Sequence, residues 1–343
     1  MRKLASIQRI REITPIKDAD RIELAHILGW QCVVKKGEFS EGDLCVYFEI
    51  DSFLPIEEKY EFLRNSSYKN SELLGEGFRL KTQKMRGEIS QGLALPISLF
   101  PEIGDKSEGE DVTDILGVKK WEIPEMATTG GTVIGQLPYS VPHTDEVRIQ
   151  NAPELIQEFA GKDYYISTKM DGSSHSMSVD KNGFHATGHN YEYKDDGTSS
   201  FYEHLKQHGY DKTLVDIYNA EGYDEITVQG EFCAPGIQKN RLKLTAPEWY
   251  VFTVIVDGKR LSLDEQLSFC EKLGFEHVPI EEKGDNLPNK YPTVETLLER
   301  AQGEYPRGGN KEGIVIRPVT PIYSEVINAP LSVKIINNKY LLK

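Results

Sequence analysis

The sequence predicts an α+β protein of two parts, a small N-terminal β-barrel and a C-terminal domain of antiparallel sheets, and three observations carry that prediction. From Leu4 to Leu54, short β-rich runs alternate with turn chemistry at close spacing. In the C-terminal half hairpins outnumber strand-helix-strand units, which disfavours a doubly wound parallel sheet. Between the two, residues 111–147 shift to Gly, Thr, Pro and Tyr, as in TTGGTVIGQLPYSVPHTDE, the composition of a connector. Domains are therefore expected over 1–110 and 148–343. With 343 residues and 38% hydrophobic content, the chain is long enough for each to bury its own core.

In the first domain RIELAHIL, WQCVVKKG and LCVYFEI read as strands, the last closing at Pro55. SFLPIEEKYEFLRN reads as loop and short helix, after which FRLKTQKMRG and GLALPISL resume strand character. Beyond the connector, PELIQEFAG is a helix opened by Pro153 and closed by Gly161. DYYISTK is a strand, and Asn182-Gly183 then turns SMSVD back into FHATGH as a hairpin. EITVQGEFC, WYVFTVIVDG, EGIVIRP and LSVKII are further strands, and SLDEQLSFCEKLG is a helix with a capping box between Ser262 and Glu265.

The net charge of −14 argues against general, sequence-blind affinity for nucleic acid, because such binding draws on many phosphate contacts. A polyanion would have to meet a local basic surface. Residues 1–110 hold 16 basic and 19 acidic side chains, against 24 and 35 in 111–343. Two basic runs contain no acid: Arg79, Lys81, Lys84 and Arg86, and Lys334, Lys339 and Lys343. Either run, taken alone, is a solvated face. No stretch approaches eighteen consecutive apolar residues, and Met1, Arg2 and Lys3 lead into no secretory pattern. A soluble, cytoplasmic protein with no membrane partner is expected. Cys32, Cys45, Cys233 and Cys270 are too far apart for paired zinc ligands and are expected to be reduced structural thiols. His185 and His189, like His204 and His208, are spaced four apart, but the first pair falls on a hairpin strand and the second lacks a third ligand. No zinc centre is expected from either.

Neither G-x-x-x-x-G-K-[ST] nor G-x-G-x-x-G is present, so the two commonest cradles for nucleotide phosphates are absent. Lys169-Met170-Asp171-Gly172 stands at a strand end before a hairpin, where a lysine can point into a cleft from fixed backbone. By itself that pattern is weak, since a surface turn produces it too. The order of the downstream residues changes the weighing: Gly230-Glu231 within a strand, Phe252 within another, Glu312-Gly313 opening a third, and Lys334 within a fourth. Each is bland alone. Phe252 also reads as core, and the two glutamates as salt-bridge partners.

Together, in this order and on strands of one domain, the five motifs resemble those of the covalent nucleotidyltransferase superfamily of DNA ligases, RNA ligases and mRNA capping enzymes. The resemblance runs from about Arg148 to Lys343. It implies that Lys169 attacks ATP and carries AMP as lysyl-AMP. An amine of ordinary pKa is protonated at neutral pH, so Lys169 is expected to be lowered by burial and by neighbouring cations or metal. Lys334 would be such a cation and would meet the α-phosphate. The resemblance further implies that Glu231 accepts from the ribose hydroxyls and Phe252 stacks on the purine. Glu312 and Asp171 would hold the waters of a hydrated Mg²⁺ or Mn²⁺. Gly172, Arg148 and His189 complete the expected nucleotide-binding set.

The stretch from Ile7 to Pro55 looks like the OB domain that precedes the nucleotidyltransferase domain in one branch of ATP-dependent nick-sealing RNA ligases. DNA ligases and capping enzymes carry that domain after the last lysine motif, whereas this sequence ends nine residues beyond Lys334, where no further domain is expected. The resemblance thus implies a monomeric RNA ligase that joins 3′-OH and 5′-phosphate ends of nicked or broken RNA. Arg79, Lys81, Lys84 and Arg86 are its expected RNA-binding run. The rivals are a DNA ligase or capping-type enzyme, disfavoured by domain order, and a catalytically silent OB-type RNA-binding protein, disfavoured by the intact Lys169, Glu231 and Glu312. Two positions depart from the family pattern. Gly188-His189-Asn190 stands where many members have Ser-Arg-Asn, and Ile336 where a second lysine often follows Lys334, which leaves Lys339 or Arg148 to assist it.

Overall fold

The computed structural model describes residues 2–121 and 130–342. The chain forms two compact units, Met1–Ile123 with Gln150–Pro153 and Leu341–Lys343, and Pro124–Ile149 with Glu154–Tyr340. Residues of the expected connector divide between them. Lys119–Lys120 joins a sheet of the first unit and Val133–Gln136 one of the second, while 122–129 lie outside the described residues.

In the first unit Leu44–Phe48 lies between Ala5–Arg9 and Leu93–Pro96, antiparallel to both. Alternate residues of a strand face opposite sides, and here both sides are buried. Val46 and Phe48 enter a cluster with Ile7, Leu54, Tyr60, Phe78 and Phe100. Cys45 and Tyr47 enter a second with Ala25, Ile27, Trp30 and Cys32. A strand serving two cores has no polar face, which explains the unbroken apolar run LCVYF. Glu12–Pro15, Ile22–Ile27 and Trp30–Lys35 form a meander, and Lys119–Lys120, Ser52–Leu54, Gly75–Arg79 and Tyr68–Ser71 a further sheet in that order. All four cysteines of the chain are buried and unbonded.

The second unit contains two larger sheets. Seven strands run in the order Val133–Gln136, Tyr191–Tyr193, Gly183–Thr187, Ser173–Asp180, Ile226–Cys233, Glu248–Val256 and Lys259–Arg260. Five run in the order Val147–Arg148, Val333–Ile336, Gly313–Pro318, Tyr164–Lys169 and Ile280–Gly284. Among the described strands only Val147–Arg148 and Val333–Ile336 pair with each other in parallel, and an isolated parallel bridge joins Val251 to His277. Helices Ser200–His208 and Tyr210–Glu221, on a stretch without an expected element, pack Phe201, Leu205, Leu214 and Ile217 against Met177, Val228, Phe232 and Val251 of the seven-stranded sheet. Leu263–Leu273 carries the expected capping box. The helix expected over PELIQEFAG shrinks to Leu155–Glu158, because one turn suffices to bury Leu155, Ile156 and Phe159, and Gly161 at φ +63° comes next.

Phe48 is fully buried, with its ring edge-on to Tyr60 at 5.8 Å between centroids and 5.9 Å from Phe100. Phe48→Ala should therefore destabilise the first unit by about 3–5 kcal/mol. Urea unfolding followed by tryptophan fluorescence measures this, and a loss below about 1 kcal/mol would show that the core closes over the gap.

Candidate active site

Lys169 ends its strand opposite Gly313, which brings the residue before that glycine alongside the lysine. Lys169 Nζ donates to Glu312 Oε2 at 3.0 Å, and the side chains are only 19% and 17% exposed. The register cannot slip easily, because a Cβ on Gly313 would lie 2.0 Å from the carbonyl oxygen of Ile335. Tyr305 adds a tie: its hydroxyl donates to the Lys169 carbonyl at 2.7 Å and accepts the Glu312 N–H at 3.0 Å. Beneath them Glu281 accepts from Thr168 and from Lys311, the chain neighbours of Lys169 and Glu312.

On the other side of Gly313–Pro318, Lys334 stands opposite Val315 and beside Arg148. The seven-stranded sheet supplies the facing wall. Glu231 lies opposite Ser174 and Tyr250, and Phe252 comes two residues later on the strand of Tyr250. One cleft is lined by Lys169, Lys334, Glu231, Phe252, His189 and Ser174, together with Glu146 and Arg317. Gly172 gives its N–H to Glu231 Oε1 at 3.1 Å, and a Cβ there would meet the Phe232 carbonyl oxygen at 2.4 Å. His189 Nε2 is 3.6 Å from Asp145.

Asp171 and Arg148 do not line that cleft. Asp171 is buried and both its carboxylate oxygens are engaged, one by Arg241 Nη1 at 3.2 Å and the other by the Tyr340 hydroxyl at 2.7 Å. Arg79 lies 4.9 Å over the Trp121 ring and 3.9 Å from Asp51, Lys81 is exposed, and Lys84 and Arg86 stand at the exposed tip of the hairpin joining Gln83–Met85 to Glu88–Ser90.

Burial by itself would depress Lys169, but the carboxylates of Glu312 and Glu231 outweigh it and hold the ammonium well above the ordinary lysine range. The expected depression is reversed here because the nearest groups are acids. Lys334 is the amine that is lowered, to about 8, by burial and then by the charges of Lys169 and Arg148. Glu231 is raised to about 7, chiefly by burial and further by Glu312, with Lys169 and the Gly172 N–H pulling it back.

Four residues outside the sequence pattern complete the site. Arg317 donates to Glu146 at 2.6 Å, binds the carbonyl of Phe252, and lies 5.5 Å over its ring. Glu146 also accepts from Ser332 at 2.7 Å. Tyr305 and Arg241 fix the turn that follows Lys169, the first through the Lys169 carbonyl and the second through Asp171. Glu146 lies within the connector stretch HTDEVRIQN, which by itself says nothing of a partner 171 positions away.

An acid raised on folding binds more protons folded than unfolded between its two pKa values. The charge on Glu231 therefore costs stability increasingly as pH rises from 4.5 through about 7. Glu231→Gln keeps an oxygen for the Gly172 N–H and removes that charge. Its melting temperature should match the parent near pH 5 and exceed it by a few degrees at pH 8. A difference that does not change with pH would count against this account.

An RNA ligase family profile matches residues 162–336 and an OB-fold domain profile residues 4–97. No curated protein matches the sequence significantly. Among solved structures, the RNA ligase of Naegleria gruberi with PPi is 33% identical, with a TM-score of 0.88 over 99% of this chain and 98% of that one. A mutant of the same enzyme with ATP and Mn is 32% identical, with a TM-score of 0.88 over 99% and 98%. Another, with AMP and Mn, is 33% identical, with a TM-score of 0.88 and the same coverage. The expected α+β arrangement, OB-fold domain first, is the one observed, and the chain belongs to the RNA ligase family.

Proposed function

We propose that this chain is an ATP-dependent RNA ligase that works through lysyl-AMP on Lys169 and seals a 3′-OH to a 5′-phosphate. The observation that carries the reading is the convergence of Lys169, Lys334, Glu231 and Phe252 on one cleft, with Glu312 at 3.0 Å from the nucleophile. In the first step Lys169 Nζ forms a bond to the α-phosphorus of ATP and pyrophosphate leaves. AMP then passes to the RNA 5′-phosphate, and the 3′-OH displaces it to form the phosphodiester.

Within this scheme Phe252, its ring held by Arg317, stacks on the adenine, and Glu231 accepts from the ribose. Lys334 meets the α-phosphate where negative charge builds, with Arg148 as its neighbouring cation, His189 at the strand end and Lys339 as a further cation of the closing run. The carboxylate of Glu312, a hard oxygen donor beside Lys169, would suit Mg²⁺ or Mn²⁺. A divalent ion held there would neutralise the acids that keep Lys169 protonated. For Asp171, engaged by Arg241 and Tyr340, the contacts favour a positioning role in the nucleophile turn. The relative's structures with ATP, AMP, manganese and pyrophosphate support this use of nucleotide and metal. Strand binding by the first unit is assigned to Arg79, Lys81, Lys84 and Arg86.

Incubation with labelled ATP should yield an acid-stable, hydroxylamine-labile protein adduct. Lys169→Met should abolish it while leaving ATP binding largely intact, because the substitution removes the nucleophile and keeps an unbranched side chain. Retained label in that variant would sink the assignment.

Lys334→Ala should slow single-turnover adenylylation roughly 100-fold or more at saturating ATP. Loss of a nearby positive charge raises the Lys169 pKa further, so the rising limb of the rate profile should move to higher pH. Weaker ATP binding with a normal saturated rate and an unshifted limb would remove Lys334 from the chemistry.

A further inference from the structure

Between the strands carrying Glu231 and Phe252, residues 234–247 contain Lys239, Arg241 and Lys243 and no acid, in a chain of net charge −14. Three non-glycine residues of this segment have left-handed backbone, Gln238 at φ +49°, Asn240 at +44° and Lys243 at +54°. Such strain persists only where surrounding contacts over-determine it, and it gathers at functional sites. The contacts here are explicit. Asn240 accepts the Leu244 N–H and donates to the Leu244 carbonyl, both at 2.9 Å.

The turn is fastened to the nucleophile hairpin. Gln238 Nε2 donates to the Gly172 carbonyl at 3.3 Å, and Arg241 donates to Asp171 while its guanidinium lies 3.7 Å over the Tyr340 ring. It also abuts the turn before Glu312: a Cβ on Gly309 would be 2.5 Å from the Arg241 carbonyl oxygen, and one on Gly308 would be 2.7 Å from Lys243 Nζ. Two acids beside it are matched, Asp171 by Arg241 and Glu248 by Arg307 at 3.0 Å. Lys239 and Lys243 are exposed.

None of these basic residues lines the cleft of Lys169 and Lys334. An exposed, rigid basic turn fits the phosphates of an extended strand, whereas an enclosed nucleotide is held from within the cleft. We propose that the turn Gln238–Lys243, with Arg307 to Asn310 beside it, is the docking surface for the RNA strand bearing the 5′-phosphate and leads that phosphate to Lys169. This role rests on the chain being an RNA ligase that acts through Lys169.

The test uses the full chain with Lys239→Ala and Lys243→Ala combined, and the same two positions changed to Arg as a second variant, each checked for an unchanged melting temperature. Binding of nicked, 5′-phosphorylated RNA by the Ala variant should weaken about tenfold at moderate salt. The slope of log affinity against log salt should flatten by roughly one to two. AMP transfer from preformed adduct to RNA should slow, labelling by ATP should keep the parent rate, and the Arg variant should behave like the parent. Slower labelling with unchanged RNA binding would assign the turn to the triphosphate and overturn the proposal. Unchanged affinity and slope would return it to a solvated face, and an Arg variant as impaired as the Ala variant would mark the lysines as structural. If the parent chain itself took no label from ATP, the ligase reading would fall, a result separate from any of these.

Discussion

The partly buried ion pair between Lys169 and Glu312 sets the terms for the second unit. Two charges taken out of water lose hydration that their attraction offsets only where geometry is good and the remaining polar atoms are matched. The fold meets that requirement by building the pair into a strand register. Lys169 opposes Gly313, Tyr305 joins the backbones of Lys169 and Glu312 through one hydroxyl, and Glu281 grips Thr168 and Lys311 one residue back on each chain segment. A hydroxyl that both donates and accepts is what the two backbones need, since one offers a carbonyl and the other an N–H.

From that anchored pair the rest of the cleft arises by sheet geometry. The five-stranded sheet contributes Lys169, Lys334 and Arg317, while the seven-stranded sheet contributes Glu231 and Phe252. Arg317 spans the two, reaching from a strand of the smaller sheet to the Phe252 carbonyl of the larger. The ionic groups thus lie mainly on one wall and the apolar ring on the other. A ligand with a flat apolar end and a polyanionic end matches that division, which is the shape of a nucleoside triphosphate.

What was legible in the sequence was order and strand context. Lys169, Glu231, Phe252, Glu312 and Lys334 were each visible because a short motif sits on a strand whose apolar pattern is local. Tyr305, Arg317, Glu146 and Tyr340 were not, because the contacts that place them are long-range, Tyr305 with Lys169 136 positions away, Tyr340 with Asp171 169 away and Arg317 with Glu146 171 away, and no period or spacing encodes such contacts. The helices Ser200–His208 and Tyr210–Glu221 were overlooked although their signals were local: Ser199 accepts the Tyr202 N–H at the start of the first, and Gly209 and Gly222 at φ +69° end the two. The reversed sign at Lys169 has another origin. Neighbouring cations were expected to set its pKa, yet the acids that do so arrive from strands 62 and 143 positions onward, and only folding brings them within range.

Opposing shifts at Lys334 and Glu231 make occupancy of the cleft a matter of protons as well as contacts. Lys334, at about 8, is partly deprotonated near neutral pH because Lys169 and Arg148 crowd it after burial has lowered it, and Glu231, at about 7, is partly protonated because burial and Glu312 oppose its charge. A polyanion entering beside Lys334 favours its charged form and draws a proton in, whereas a divalent cation near Glu231 favours the carboxylate and drives one out. Nucleotide and metal together therefore change the net proton count less than either alone. The charges that burial makes costly are ones that a polyanion beside Lys334 or a cation beside Glu231 would stabilise.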